Sequence, residues 1–95
     1  MAEPSFDVGW IAPTDKSAEQ ANMNARSILI FALRQTVEGW NMTQEMAARR
    51  LGISRPRTSE LLSGKIDKFS LDALFILAAR AGLAVEINPS PRSLT

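Results

Sequence analysis

The chain has 95 residues, which is enough for one domain and too few for a second hydrophobic core. It contains neither cysteine nor histidine, so disulfides and thiolate chemistry are excluded, and the commonest general base and metal ligand is missing. Catalysis would have to rest on carboxylates or lysine, and no two acids are suitably spaced in an apolar setting. We therefore predict a protein that is not an enzyme and that uses no cofactor or metal.

No apolar run approaches the roughly 18 residues of a membrane span. The N-terminus, MAEPSFDVG, lacks the basic and then apolar pattern of a signal peptide. These two observations predict a soluble, cytoplasmic protein with no membrane contact.

The net charge of +1 conceals an uneven distribution. Residues 1–23 hold four acids against one lysine, whereas residues 49–68 hold six basic residues against two acids. A solvated helical face is the ordinary explanation of such a basic cluster. Next to a motif that binds nucleic acid, however, such a cluster would favour a surface that meets a phosphate backbone.

Residues 1–14 predict an irregular arm, because they hold two prolines and a glycine and show no helical period. Four apolar side chains in the arm must pack on something (Phe6, Val8, Trp10 and Ile11). They could cover the protein's own first helix or dock on another chain.

The domain itself is predicted over residues 15–87, and its first helix should start near residues 15–17 and end at Gly39. Ser17 and Gln20 have the spacing of a capping box. Apolar residues then recur at helical spacing up to Val37. Two asparagines could split this helix into two pieces (Asn22 and Asn24).

Two short helices with a tight turn follow, over residues 43–51 and 54–63. Thr43 and Ser54 are suitable N-caps, because their side-chain oxygens can accept hydrogen bonds from the first turn. Gly52 permits the left-handed conformation of the turn between the helices. This pattern predicts a helix-turn-helix.

The remainder of the chain predicts one more helix and one strand. A loop over residues 65–69 leads to Ser70, a suitable cap for a helix over 71–81 that Gly82 ends. Residues 83–87 alternate apolar and other side chains, which predicts a short strand whose partner is a second subunit or another protein. Residues 88–95 hold two prolines and predict a disordered tail.

A helix-turn-helix presents the start of its second helix to base edges in the major groove, while the preceding helix crosses the phosphate backbone. Arg55 and Ser59 should share the outer face, and an arginine there can bind guanine O6 and N7. Glu60 could accept from cytosine or pair with a nearby arginine. The predicted DNA-binding residues are Thr43, Gln44, Ser54, Arg55, Pro56, Arg57, Ser59 and Lys65.

Some of these residues have simpler explanations. Thr43 and Ser54 could serve as caps alone. Arg49 and Arg50, just before the turn, are more simply explained by solvent exposure or by a pair with Glu45.

The segment TQEMAARRLGISRPRTSELLSGK resembles the lambda-repressor-like (Xre) helix-turn-helix family. The longer segment SRPRTSELLSGKIDKFSLDALFILAARAGLAVEI resembles short Xre-family proteins related to HigA-type antitoxins. The resemblance implies an all-α, lambda-repressor-like domain of four to five helices, here with a short C-terminal β-strand where many relatives have a fifth helix. It also implies a homodimer on double-stranded, palindromic operator DNA.

Two functions follow from this resemblance. The first is a sequence-specific repressor that is the antitoxin of a toxin–antitoxin pair, autoregulates its operon and neutralises a RelE/HigB-like ribonuclease. The alternative is a stand-alone phage- or chromosome-encoded Xre regulator with no toxin partner.

Overall fold

The computed structural model describes residues 16–91, which contain four α-helices and one short 3-10 helix. The helices are α1 (Lys16–Gly39), α2 (Gln44–Leu51), α3 (Arg55–Leu62) and α4 (Leu71–Arg80). The 3-10 helix, Ile66–Lys68, lies between α3 and α4. The predicted arm over residues 1–14 and the last four residues of the predicted tail lie outside the described residues.

The first helix is continuous over Lys16–Gly39, so its two asparagines do not split it, which the sequence had left open. Asn22 accepts a hydrogen bond from Arg26 Nε at 2.7 Å, and Asn24 accepts one from Gln20 Nε2 at 2.9 Å. Each asparagine thus bonds a side chain four residues away and does not compete for the backbone. The capping box is also absent, because Ser17 is already the second residue of α1 and Gln20 is bonded to Asn24.

The first helix ends at the predicted residue, but by a different means. Gly39 has ordinary helical geometry, and the left-handed residue is Asn41, with φ 54°. Asparagine tolerates this conformation better than other residues with a side chain. The left-handed residue that follows α1 is therefore Asn41, two residues after the glycine.

The three short helices share one construction. Each begins at a hydroxyl side chain that accepts from a backbone N–H in the first turn (Thr43, Ser54 and Ser70). Each ends at a glycine of positive φ, and the N–H of the next residue bonds back five residues (Gly52, Gly64 and Gly82). These are Schellman endings, which satisfy carbonyls that the helix leaves unpaired.

The core lies where α1 packs along α4 and where the pair α2–α3 packs against both. Its fully buried large side chains come from all four helices (Leu33, Leu51, Leu61 and Leu74). Phe69, in the loop before α4, closes the core between α3 and α4. The first three turns of α1, residues 16–28, contain no buried side chain.

The strand predicted over residues 83–87 is not formed. Leu83 N–H bonds to Ala78 as part of the α4 ending, and the residues after it have no regular secondary structure. A strand exists only by pairing with another strand, and the described part of the chain supplies no partner. Among residues 16–91, no helix is both long and apolar enough to span a membrane.

Replacing Gly52 with alanine is expected to lower the free energy of unfolding by about 1–2 kcal/mol. Gly52 has φ 73°, and a Cβ there would stand 2.8 Å from Nη1 of Arg80. The change would be measured by urea denaturation at fixed protein concentration. Gly39→Ala is the matched control, because Gly39 has open space around it and should give a neutral or slightly stabilising change.

Candidate nucleic-acid interface

The turn between α2 and α3 is fixed by backbone hydrogen bonds to the end of α2 and by a contact from α4. Gly52 N–H donates to Ala48 and Arg49, and Ile53 N–H donates to Ala48. From the end of α4, Arg80 Nη1 donates to the carbonyl of Leu51 at 3.0 Å. The missing Cβ of Gly52 leaves room for that guanidinium. The angle between the two helices is therefore held by α4.

The start of α2 faces solvent. Thr43 caps it, and its hydroxyl accepts from Met46 N–H at 3.2 Å. Gln44, the first residue of the helix, is exposed, and its side chain makes no hydrogen bond within the described residues. The exposed N–H groups of this turn and the Gln44 amide form a small polar surface that suits a phosphate oxygen.

The outer face of α3 agrees with the predicted one. Thr58 and Leu61 are fully buried, and the Thr58 hydroxyl donates to the Ser54 carbonyl at 3.0 Å. Arg55 is exposed, and Ser59, one turn later, is half-buried. Arg55 has no hydrogen bond, ion pair or ring contact within residues 16–91, so its five N–H donors are available to a ligand.

Two further predicted residues lie at the start of α3. Pro56 is exposed in the first turn, as expected. The Ser54 hydroxyl accepts from Arg57 N–H at 3.2 Å, so the serine certainly serves as a cap. Ser54 is exposed to solvent, so its hydroxyl can also make a second contact.

Arg57 differs from Arg55 although both lie in the first turn of α3. Its Nη1 donates to the Lys68 carbonyl at 2.9 Å and to Glu60 Oε1 at 3.1 Å. Its guanidinium also lies 4.3 Å from the centre of the Phe69 ring. Arg57 thus joins α3 to the loop before α4, and Glu60 has the arginine partner that was one of its two predicted roles.

The two arginines at the end of α2 also have partners within the protein. Arg49 pairs with Glu45 at 3.4 Å, although both side chains are largely exposed. Arg50 lies over the Trp40 ring, 4.0 Å from its centre. Arg49 thus has the predicted pair with Glu45, and Arg50 is solvent-exposed, as the simpler explanation also allowed. The cation–π contact of Arg50 was not indicated by the sequence.

The loop after α3 carries two further basic side chains. Lys65 and Lys68 are exposed, and neither amino group has a partner within the described residues. The loop itself is held from α1, because Arg26 Nη1 donates to the Ile66 carbonyl at 3.1 Å. The predicted contact residue Lys65 therefore projects from a fixed backbone.

Sequence reasoning missed Arg34, which lies on α1 next to this loop. Its Nε is buried and has no hydrogen-bond partner in the part of the chain that the structure describes. Its Nη1 lies 3.1 Å from where a Cβ on Gly64 would stand. The only sequence signal was its place one helical turn before the buried Val37, which does not reveal a contact with the end of α3.

Arg57→Ala is expected to lower the free energy of unfolding by about 1–2 kcal/mol, because a charged hydrogen bond and a cation–π contact are lost. Thermal denaturation with and without DNA would measure it. Arg49→Ala is the control, since an exposed helical pair contributes little. Loss of base preference with unchanged stability would show instead that Arg57 reads bases, as the sequence predicts.

The site thus combines two exposed helix starts, one free arginine on α3 and lysines in the following loop.

A family model described as a helix-turn-helix domain matches residues 12–89. The chain is also similar to a solved structure described as an XRE family transcriptional regulator. The two sequences are 30% identical, the match covers 81% of this chain and 89% of that one, and the TM-score is 0.70. No curated protein sequence matches. The chain therefore belongs to the Xre-type helix-turn-helix family.

Proposed function

We propose that the protein is a sequence-specific DNA-binding transcriptional repressor that places α3 in the major groove. The single observation that carries this proposal is the contrast on α3 between Arg57, which is bonded to its own chain, and Arg55, which is exposed and free. An arginine held at the start of a rigid helix is suited to bidentate recognition of guanine. Since regulators of this family are in general not enzymes, we assign the chain no catalytic reaction.

Base recognition would involve three side chains on the outer face of α3. Arg55 would donate to guanine O6 and N7. Ser59 lies one turn later on the same face and would reach the next base or its phosphate. The exposed ring of Pro56 would meet a thymine methyl group. Arg57 would support the loop that carries Lys68.

Phosphate contacts would flank this helix. Gln44 and the N–H groups capped by Thr43 would bind one phosphate at the start of α2. Ser54 would add its free hydroxyl proton at the start of α3. On the other side, Lys65 would bind phosphate from the loop after α3, with Arg34 beside it.

The repressor would act as a homodimer on a palindromic operator. A single α3 reads only a few base pairs, whereas two copies related by a twofold axis read two half-sites about 34 Å apart. Binding over its own promoter would exclude polymerase, so the protein would regulate its own operon in the cytoplasm.

The test is binding of the purified chain to duplex DNA from its own upstream region. Fluorescence anisotropy at physiological salt should show tighter binding to this duplex than to a shuffled one. Lys65→Ala should lower the affinity for both duplexes by about the same factor. It should also reduce the slope of log K against log salt by about one. Lys16→Ala, a lysine outside the helix-turn-helix, is the control. Equal affinity for both duplexes would contradict the proposal.

A second function, neutralisation of a toxin, is supported by the N-terminal quarter of the chain. Residues 1–23 are acidic in sequence, and residues 16–28 bury no side chain, so the acidic segment leads into an exposed stretch of α1 that suits a basic partner. The resemblance to HigA-type antitoxins names that partner as a RelE/HigB-like ribonuclease.

Two observations test the toxin proposal. An adjacent gene for a small basic ribonuclease should be present, and the two proteins should co-purify. Deletion of residues 1–14 should abolish neutralisation and leave DNA binding intact. If the adjacent gene is absent and no partner co-purifies, the protein is the stand-alone regulator.

A further inference from the structure

Within residues 16–91, an apolar face is left uncovered on the side of the domain formed by α1, α4 and the chain that follows α4. It contains Ile28 and Ala32 of α1, Phe75 of α4, and residues 83–87; we refer to it as the α1–α4 face. Ile28 is 68% exposed and Ile87 is 70% exposed. A contiguous apolar surface of this kind on a small domain marks an interaction site.

The backbone beside this face is also open. Leu83 N–H is bonded to Ala78, but residues 84–91 make no hydrogen bond within the part of the chain that the structure describes. Unpaired donors and acceptors that border an apolar face are suited to pairing with an extended segment of a second chain. The occupant should therefore supply both a backbone edge and apolar side chains.

A second copy of this chain supplies both. If residues 83–87 of two copies run antiparallel with Val85 opposite Val85, then Leu83 lies opposite Ile87 on the same side. On the other side, Glu86 of each copy lies opposite Ala84 of the other copy, so the two Glu86 side chains do not face each other. A shift by one residue in each copy would place Glu86 against Glu86 or leave Ile87 opposite Ala81, so this register is favoured.

We propose that the α1–α4 face is the homodimer interface and that residues 83–87 of the two copies pair about a twofold axis through Val85. The inference rests on the dimeric repressor proposed above and specifies its assembly. None of the residues assigned to DNA lies on the α1–α4 face. Both copies would thus keep their α3 helices free for two half-sites.

Cysteine cross-linking tests the register, because the natural chain has no cysteine. Val85→Cys should form a disulfide-linked dimer under mild oxidation, since residues directly opposite each other have Cα atoms about 4.5–5.5 Å apart. Ile87→Cys is the matched control in the same segment. In this register the two Ile87 residues of the dimer are offset by four residues along the strands, which is about 13 Å, so Ile87→Cys should remain unlinked.

Light scattering tests whether the α1–α4 face is needed for dimerisation. The wild-type chain should be a dimer at micromolar concentration, and Ile28→Asp should make it a monomer with an unchanged circular dichroism spectrum. Ile76→Asp is the control, because Ile76 is also exposed, at 51%, but lies on another side of α4. It should leave the dimer intact.

The inference is overturned if the wild type is monomeric, if Ile28→Asp remains dimeric, or if Ile87→Cys links and Val85→Cys does not. It is also overturned if Ile28→Asp spares the dimer and abolishes binding of a co-expressed partner, because the face would then belong to that partner. The proposed function fails separately: a cross-linked dimer without operator preference would remove the repressor and leave this interface.

Discussion

Replacing Arg55 with alanine is expected to reduce the preference for operator over shuffled DNA by about 5- to 150-fold, which corresponds to about 1–3 kcal/mol. Arg55 is exposed on α3 and has no partner within residues 16–91, so its removal takes nothing from the fold. The melting temperature should therefore remain unchanged. Anisotropy titrations on both duplexes, with a thermal melt of the same sample, give the two quantities together.

Arg55→Lys separates the contribution of the positive charge from that of the guanidinium geometry. It keeps the charge and loses the planar fork, so it should preserve affinity for random DNA and lose much of the discrimination. Arg49→Ala serves as the control for removal of an exposed arginine from the helix-turn-helix. An Arg55→Ala variant with full discrimination would show that another residue reads the operator.

Leu33→Ala is expected to lower the free energy of unfolding by about 2–5 kcal/mol. Leu33 lies in the middle of α1 and is completely buried in the core that joins all four helices. A domain of this size has only about 5–15 kcal/mol of stability, so the variant should lose a large part of its folded population on warming. The melting temperature should fall by at least about 10 °C.

Gln35→Ala is the matched control for the core prediction. Gln35 lies two residues later on the exposed side of the same helix, and its replacement should change stability by no more than about 0.5 kcal/mol. Both variants must be compared at one protein concentration, because a dimer's stability depends on concentration. Equal melting temperatures would mean that α1 does not pack as described.

The helix boundaries could be predicted because the sequence marks both ends of each short helix. Thr43, Ser54 and Ser70 are local caps, and the glycines that end these helices act through neighbouring backbone alone. Such signals involve at most six consecutive residues. They therefore require no knowledge of the tertiary structure.

The roles of the arginines could not be predicted in the same way. Arg26, Arg57 and Arg80 each donate to a backbone carbonyl of another helix, and for Arg26 and Arg80 that carbonyl lies about 30 or more residues away in the chain. A basic residue in a helix-turn-helix is thus equally consistent with holding a loop and with binding phosphate. Only the three-dimensional contacts separate Arg55 from Arg57.

The prediction of a strand over residues 83–87 was wrong for a related reason. Alternation over residues 83–87 indicates which side chains can share a face, but a strand also needs a neighbouring strand, and residues 16–91 contain none. The unbroken α1 is the opposite case, because Asn22 and Asn24 found partners within their own helix.

We propose that α3 and the helix starts beside it form the DNA-binding surface. Amide chemical-shift mapping tests it directly, by recording the protein before and after addition of its promoter duplex. The largest changes should fall on Gln44, on Arg55 to Ser59 and on Lys65, with little change at Ile28 or Phe75. Changes concentrated on the α1–α4 face, with α3 unaffected, would contradict the claim.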